Sequence, residues 1–251
     1  MEWTPEQISS YNDDGFLIVR NLLSDAEVAD LREAVQVLLH GNDEVDGMHR
    51  ERERGGAVRQ VYLAHRHNPA FQELVRNPKL TDPVRQILEE QVYIFHSKLN
   101  VKEAFEGSVW LWHQDYGYWV RDGVQPRIVS TMILLDRATL NNGCLMVLPG
   151  SHRGGRLEHE ADTTTTSSKQ WCIPPEILKK TMREEDIKYI TGEPGDALFF
   201  DCNLIHGSGH NMSPLPRNTF IIAYNAIDNK PAPVENPRPD WVVSREFELV
   251  T

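Results

Sequence analysis

Three potential metal ligands, His113, Asp115 and the distant His206, constrain the fold of this chain most strongly. On a β-strand, side chains two residues apart point to the same face, so His113 and Asp115 can bind one metal ion together. The third ligand lies far along the sequence, so a second strand must return it to the same site. The pattern therefore predicts a barrel-like β fold that closes around a metal ion.

The residues around the first two ligands strengthen this interpretation. A His-x-Asp pair alone is weak evidence, because most such pairs are surface charge pairs or hydrogen-bonded polar pairs. Here the pair lies in an aromatic run from Trp110 to Trp119 that includes Tyr116 and Tyr118. Two histidines and one carboxylate are the ligand set of non-haem Fe(II) oxygenases, which leave coordination positions open for reactants. The sequence thus favours a reactive iron site over a buried structural histidine.

The hydrophobic pattern divides the chain into a helical part and a β-rich part. Residues 4–7 and 24–27 are capping boxes, which mark helix starts, and apolar residues at helical spacing follow the second. After residue 91, apolar runs separated by glycine and proline turns predict strands, at about 92–100, 128–135, 145–148, 197–200 and 219–226. We therefore predict a mainly β fold, a double-stranded β-helix (cupin-like jelly roll) with the N-terminal helices packed on one sheet.

The chain of 251 residues fits one domain, and no linker-like stretch divides it. We expect a single domain over 1–251, with a helical part over about 1–90, a β core over about 91–228 and a C-terminal tail over 229–251. Two segments have the composition of loops. Residues 42–56 are charged and glycine-rich, and residues 159–172 are polar and without periodicity, with a length that is common in lids.

Composition limits the partners and the location. The net charge of −11 disfavours nucleic acid and anionic membranes as main partners, since both need clustered lysine and arginine. Three scattered cysteines form no disulfide framework, and no signal-peptide pattern or long apolar run is present. We expect a cytoplasmic monomer or homodimer that acts on a small molecule.

Four ordered motifs resemble a known family. They are W-H-Q-D at 112–115, N-G-x-L-x-V-x-P-G-S-H at 142–152, G-D-x-x-F-F at 195–200, and His206-Gly-Ser followed by Arg217. Together they are similar to the phytanoyl-CoA dioxygenase superfamily of Fe(II)/2-oxoglutarate oxygenases. Within it, the pattern is similar to ectoine hydroxylase and its bacterial small-metabolite relatives. The resemblance covers nearly the whole chain, from about Asp13 to about Asn229.

The resemblance implies a dioxygenase that uses Fe(II), 2-oxoglutarate and O2 to hydroxylate an aliphatic C–H bond and releases succinate and CO2. His113, Asp115 and His206 are then the catalytic metal ligands. The guanidinium of Arg217 offers a planar fork for the distal carboxylate of 2-oxoglutarate, and Ser208 can add a hydroxyl hydrogen bond. Further positions that match the family's co-substrate pocket are Asn100, Ser130, Trp110 and His96.

The expected substrate contacts lie beyond the metal ligands. Trp119, Tyr116 and Tyr118 can form an aromatic wall, and Arg127 can bind a substrate carboxylate. We expect a small polar or zwitterionic substrate, such as an amino-acid derivative or an intermediate of secondary metabolism. An acyl-CoA is less favoured, because no strong basic cluster lies outside residues 50–54.

Alternative functions follow from the same residues. One is a non-catalytic, cupin-like sensor that binds the metal or 2-oxoglutarate without turnover, and another is a cupin enzyme that does not use 2-oxoglutarate. The same ligand set also supports desaturation, cyclisation or epimerisation.

Overall fold

The computed structural model describes residues 2–41 and 48–250. The helices in these ranges are α1 (Pro5–Asp14), α2 (Asp25–Leu39), α3 (Ala64–His67), α4 (Pro69–Leu74), α5 (Pro78–Leu88), α6 (Asp115–Trp119) and α7 (Pro175–Thr181). The strands are β1 (Phe16–Val19), β2 (Arg50–Arg52), β3 (Val58–Tyr62), β4 (Val92–Lys102), β5 (Trp110–His113), β6 (Ile128–Leu134), β7 (Leu145–Val147), β8 (Glu160–Asp162), β9 (Gln170–Cys172), β10 (Lys188–Ile190), β11 (Ala197–Asp201), β12 (His206–Ser208) and β13 (Arg217–Ala226).

Two antiparallel sheets face each other. The larger has the strand order β1-β11-β6-β13-β4-β3-β2, and the smaller has the order β10-β7-β12-β5. Apolar side chains from both sheets, among them Leu134, Val147 and Phe200, pack into one cluster between them. The non-sequential strand order and the two packed sheets confirm the predicted jelly roll.

The N-terminal helices α1 to α5 cover the outer face of the larger sheet. Side-chain alternation along β13 sends Phe220, Ile222 and Tyr224 to the helices and Ile221 to the smaller sheet. Both predicted capping boxes are present, and α2 buries its apolar face against this sheet. Fully burying one such apolar side chain contributes about 1.5–3 kcal/mol. None of the described helices is long and apolar enough to cross a membrane.

The first predicted loop, at 42–56, is wrong at residues 50–52, whereas residues 48–49 and 53–56 are loop and turn. Residues 42–47 lie outside the described residues, but Arg50–Arg52 is strand β2, which pairs with β3 at the edge of the larger sheet. The charges suggested a solvated loop, yet two of the charged side chains have buried partners. Arg50 Nε donates to Leu38 O over 2.7 Å, and Glu53 forms an ion pair with Arg59 over 3.0 Å.

The second predicted loop, at 159–172, contains the hairpin of strands β8 and β9. Leu111 N donates to Gln170 Oε1 over 3.0 Å, and Ile173 N donates to Trp112 O over 2.8 Å. The hairpin therefore lies against β5 beside the candidate metal ligands. These contacts use the Gln170 side chain and backbone groups, which explains why the segment has no hydrophobic period.

The predicted tail packs along β4. Ser244 N donates to Phe95 O over 2.9 Å, and Val250 N donates to Val92 O over 3.0 Å. Val243 is fully buried against the end of the larger sheet. These contacts bring residues 238–242 to the mouth of the barrel.

The buried His65, on α3, provides a test of how this helix packs against β4. Its Nδ1 forms a hydrogen bond with the Ser97 hydroxyl, and burial lowers the pKa of His65 from 6.5 to about 3. Between these two values the unfolded chain binds a proton that the folded chain does not, so folding stability falls as the pH falls. The His65→Gln variant should show a free energy of unfolding that depends less steeply on pH, by up to about 1.4 kcal/mol per pH unit. Urea unfolding of the metal-free protein between pH 6.5 and 4.5 measures this slope, and parallel curves for the two proteins would contradict the assignment.

Candidate metal centre and active-site cavity

The three candidate ligands meet where β5 pairs with β12. His113 lies directly opposite His206 in the antiparallel register, and their ring centroids are 4.2 Å apart. One ligand atom from each of His113, Asp115 and His206 lies within 4.8 Å of the other two, and all three side chains are buried. Asp115 is not on the strand, contrary to the prediction. The strand ends at His113, and Asp115 begins helix α6, which turns its carboxylate toward the two histidines.

Both histidines are held in one tautomer. His113 Nδ1 donates to Leu111 O over 2.6 Å, and His206 Nδ1 donates to Leu204 O over 2.9 Å. Each Nε2 is thereby left as a lone-pair donor, which is the arrangement common in metal-binding histidines. Burial lowers the pKa of His113 well below 6.5, with a further effect from the neighbouring His206, and burial also lowers the pKa of His206. Both rings are therefore neutral at pH 7, as metal binding requires.

A hydroxyl and an amide fix the segment that carries the carboxylate. Ser130 Oγ on β6 donates to Asp115 Oδ2 over 2.8 Å. Gln114 is fully buried, and its Nε2 donates to Gly155 O over 2.8 Å and to Asn203 O over 2.7 Å. This amide ties the turn between the ligands to the loop before β12, so Gln114 positions both ends of the site. Sequence reasoning had assigned it no role.

Arg217 lies buried at the start of β13 with its hydrogen-bonding capacity incompletely used. Its Nη2 donates to Gly143 O over 2.6 Å and its Nη1 donates to Thr219 Oγ1 over 3.3 Å. Gly143 has a φ of 72°, and an added Cβ would lie 2.4 Å from Gly209 O, so this turn requires glycine. Burial lowers the pKa of Arg217 to about 10, which leaves it a cation at neutral pH.

Several buried polar atoms on these strands have no hydrogen-bond partner within the described residues. They include Arg217 Nε, Ser208 Oγ and Asn100 Oδ1. Such orphaned groups are rare in proteins and indicate a bound group that completes them. A guanidinium and a hydroxyl are the donors that a carboxylate needs. Arg217 and Ser208 therefore fit a carboxylate of 2-oxoglutarate, and the two histidines with one carboxylate fit Fe(II).

A narrow cavity of about 70 Å³ opens beside His113 and Asp115. Four of the predicted contact residues line it, namely His96, Trp110, Tyr118 and Trp119. Tyr118 Oη accepts a hydrogen bond from Trp171 N over 2.9 Å, which joins the metal-side wall to the β8–β9 hairpin. His96 Nδ1 donates to Val242 O over 2.7 Å, which joins the same cavity to the tail.

Three predicted contacts lie elsewhere. Tyr116 packs in the core, where its hydroxyl donates to Val124 O over 3.1 Å. The side chain does not line the cavity because residue 116 lies in helix α6 and not on a strand. Arg127 forms an exposed ion pair with Asp228 over 2.6 Å and does not line the cavity, and its role in substrate binding stays a prediction. Ser130 donates to Asp115, and its role in co-substrate binding stays a prediction.

Other lining residues were not predicted. They are Glu51, Gln60, Tyr62, Lys98, Ser168, Lys169, Arg238 and Val242. Lys98 lies between His96 and Asn100 on β4, so strand alternation alone would have placed it on the same face. Glu51 was hidden in the segment interpreted as a loop, and Arg238 carried no sequence signal.

Comparisons with known proteins agree with this geometry. A model of the phytanoyl-CoA dioxygenase (PhyH) family matches residues 11–219. The ectoine dioxygenase of Bordetella bronchiseptica is 35% identical over 96% of this chain and 82% of its own length. The L-proline trans-4-hydroxylase of Streptomyces griseoviridis is 34% identical over 94% of this chain and 91% of its own. The crystal structure of EctD from S. alaskensis with 2-oxoglutarate and 5-hydroxyectoine has a TM-score of 0.83 at 32% identity, covering 97% and 84% of the two chains.

The hydrogen bond from Ser130 to Asp115 predicts an effect on metal affinity. The Ser130→Ala variant should bind Fe(II) about tenfold more weakly, because partners of metal ligands typically contribute at that level or above. Anaerobic titration with Fe(II) gives the dissociation constant, and Ser213→Ala, which removes a hydroxyl from an exposed loop, is the control. Unchanged affinity in Ser130→Ala would show that this bond does not support the carboxylate.

Proposed function

The chain belongs to the phytanoyl-CoA dioxygenase family, and we propose that it is an Fe(II)- and 2-oxoglutarate-dependent dioxygenase that hydroxylates an aliphatic C–H bond of a small metabolite. The observation that carries the proposal is the buried group of His113, Asp115 and His206, with its ligand atoms within 4.8 Å of one another. One atom of O2 enters the substrate and the other enters succinate, which forms with CO2 from 2-oxoglutarate.

Bound Fe(II), with 2-oxoglutarate and O2, supplies the oxidising chemistry, and the protein supplies position and environment. The backbone carbonyls of Leu111 and Leu204 orient the two histidines, and Ser130 orients Asp115. Arg217 presents its guanidinium to the distal carboxylate of the co-substrate. The narrow cavity excludes bulk water from the reacting centre.

The substrate is small. The sequence offers no strong basic cluster outside residues 50–54 for the phosphates of a CoA, which disfavours an acyl-CoA. The polar and charged side chains that line the cavity support an amino-acid derivative, an ectoine-like zwitterion or a small intermediate of secondary metabolism. The names of two relatives, an ectoine dioxygenase and an L-proline hydroxylase, support the same class.

No observation favours the alternatives over hydroxylation, but each has a distinct outcome. A sensor would bind 2-oxoglutarate without forming succinate, and a cupin enzyme of another kind would turn over without consuming it. Desaturation, cyclisation and epimerisation would consume the co-substrate without adding an oxygen atom to the product. Mass spectrometry of the product alongside a succinate assay separates these cases.

The assembly and location of the protein are part of the same proposal. The chain forms one domain and acts in the cytoplasm as a monomer or homodimer, without nucleic acid or membrane as a partner. The negative net charge supports this, as do three cysteines that are buried and unpaired.

Removal of a metal ligand should abolish turnover. His113→Ala takes away one of three ligands, so Fe(II) binding should weaken and succinate formation should fall by more than about a hundredfold. Circular dichroism checks that the variant is folded. Normal succinate formation in a folded His113→Ala protein would refute the metal assignment.

Removal of the Arg217 guanidinium should weaken the binding of 2-oxoglutarate and not the binding of Fe(II). Arg217→Met should raise the dissociation constant of 2-oxoglutarate about 10- to 100-fold, because it removes charge-assisted hydrogen bonds, and it should leave Fe(II) affinity nearly unchanged. Arg183→Met, which removes an exposed, ion-paired arginine, is the matched control. An unaltered dependence on 2-oxoglutarate concentration in Arg217→Met would rule out the assignment.

A further inference from the structure

Two charged side chains in the cavity have no part in the proposed reaction, Lys98 and Glu51. Lys98 projects from the inner face of β4, and its ammonium lies 5.5 Å from the centre of the Trp110 ring. The Lys98 side chain is half-buried, and within residues 2–41 and 48–250 its ammonium forms no hydrogen bond and no direct ion pair. This ammonium is therefore available to an anionic group that enters the cavity.

Glu51, on β2, is an anion held by neutral donors. Its carboxylate accepts hydrogen bonds from Gln60 Nε2, from Tyr62 Oη over 3.1 Å and from Ser168 Oγ over 3.0 Å. Three donors from two different segments fix its orientation, and none of them carries a charge to neutralise it. The carboxylate is therefore preorganised to bind a cation at the wall of the cavity.

The sheet keeps these two charges apart. In the strand register Glu51 pairs with Gln60, and Lys98 pairs with Tyr62, so the whole of β3 separates them. Two strand spacings put about 10 Å between the two backbones, and no direct ion pair joins the two side chains. The neutral side chains of Gln60 and Tyr62 lie between them.

The remaining charged residues of the cavity wall differ from this pair. Arg238 forms an ion pair with Asp122, and its Nε lies 3.0 Å from Asp122 Oδ1. Lys169 is exposed at the rim, with its ammonium 4.9 Å from the Trp171 ring. Among the described lining residues outside the metal ligands, only Glu51 and Lys98 are thus half-buried charges without a direct ion pair.

We propose that Glu51 and Lys98 are specificity-determining residues, which bind respectively the cationic group and the carboxylate of a zwitterionic substrate. This inference rests on the proposed function and assigns its substrate recognition to named side chains. In the larger sheet, β4 lies two strands nearer than the edge strand β2 to β6, whose Ser130 contacts Asp115. The substrate carboxylate at Lys98 therefore lies toward the metal centre, and the cation at Glu51 lies toward the edge of the sheet.

The carboxylate that Lys98 binds has two possible sources, the substrate and 2-oxoglutarate. Lys98 lines the cavity, whereas Arg217 and Ser208 lie outside its lining. This separation assigns Lys98 to the substrate and Arg217 to the co-substrate. If Lys98 binds the substrate, a Lys98 variant raises the dissociation constant of the substrate. If it binds 2-oxoglutarate, the variant raises the dissociation constant of 2-oxoglutarate.

The test uses the full chain loaded anaerobically with Fe(II) and 2-oxoglutarate, and isothermal titration calorimetry with small probes. The zwitterions are ectoine and L-proline. N-acetyl-L-proline keeps the carboxylate and lacks the cation, and L-prolinamide keeps the cation and lacks the carboxylate. The variants are Lys98→Met and Glu51→Gln. Their controls are Lys188→Met and Glu160→Gln, which remove charges on β10 and β8 outside the cavity.

Each variant should weaken only the probes that carry the matching charge. Lys98→Met should weaken binding of the better zwitterion and of N-acetyl-L-proline at least about tenfold and leave L-prolinamide unchanged. Glu51→Gln should weaken the zwitterion and L-prolinamide by a similar factor and leave N-acetyl-L-proline unchanged. The controls should match the wild type for every probe.

Three outcomes would overturn the proposal. The first is an equal effect of either variant on all probes. The second is a loss of 2-oxoglutarate affinity in Lys98→Met with unchanged zwitterion binding, which would show that Lys98 binds the co-substrate and not the substrate. The third is no binding of ectoine, L-proline or any standard amino acid to the wild type. Fe(II) and 2-oxoglutarate binding are measured in the same samples, so the dioxygenase proposal stands or fails separately.

Discussion

The pairing of β5 with β12 is the constraint on which the site depends. It places His113 directly opposite His206, so the metal-binding geometry follows from strand register. A slip of one residue would send these side chains to opposite faces. Gln114 limits such a slip, because its amide donates to the carbonyl of Asn203 on the chain that enters β12. The facing sheet then supplies Ser130, so the third ligand is positioned by a hydrogen bond between sheets.

Two buried cations in the interior of the barrel form no ion pair with a carboxylate of the described residues. Arg217 and Lys102 are register partners on β13 and β4, and each donates to backbone carbonyls and not to a carboxylate. Burial lowers the pKa of Lys102 well below 10.5 and that of Lys98 below it too, in keeping with the cost of these cations. A cavity of this kind is suited to binding carboxylates. The dianionic co-substrate and a zwitterionic substrate would complete what the protein leaves unpaired.

Sequence patterns predicted the parts of this structure that depend on local rules. Capping boxes located α1 and α2, and alternation of apolar residues located the main strands and hence the jelly roll. The ligand motif could be found because its residue types are chemically specific. What failed depended on long-range contacts. Asp115 lies on a helix because the chain turns after Gln114, and Glu51 reaches the cavity because a charged segment pairs as an edge strand. Neither is visible in a local window of sequence.

The most direct measurement of the central claim is an anaerobic titration of the metal-free protein with Fe(II), followed by 2-oxoglutarate, in a visible spectrophotometer. Chelation of the metal by the keto acid gives a weak metal-to-ligand charge-transfer band that neither component gives alone. The account predicts that this band develops to an end point of one 2-oxoglutarate per chain. Tight Fe(II) binding with no band at saturating 2-oxoglutarate would contradict it, because the co-substrate would then not reach the metal.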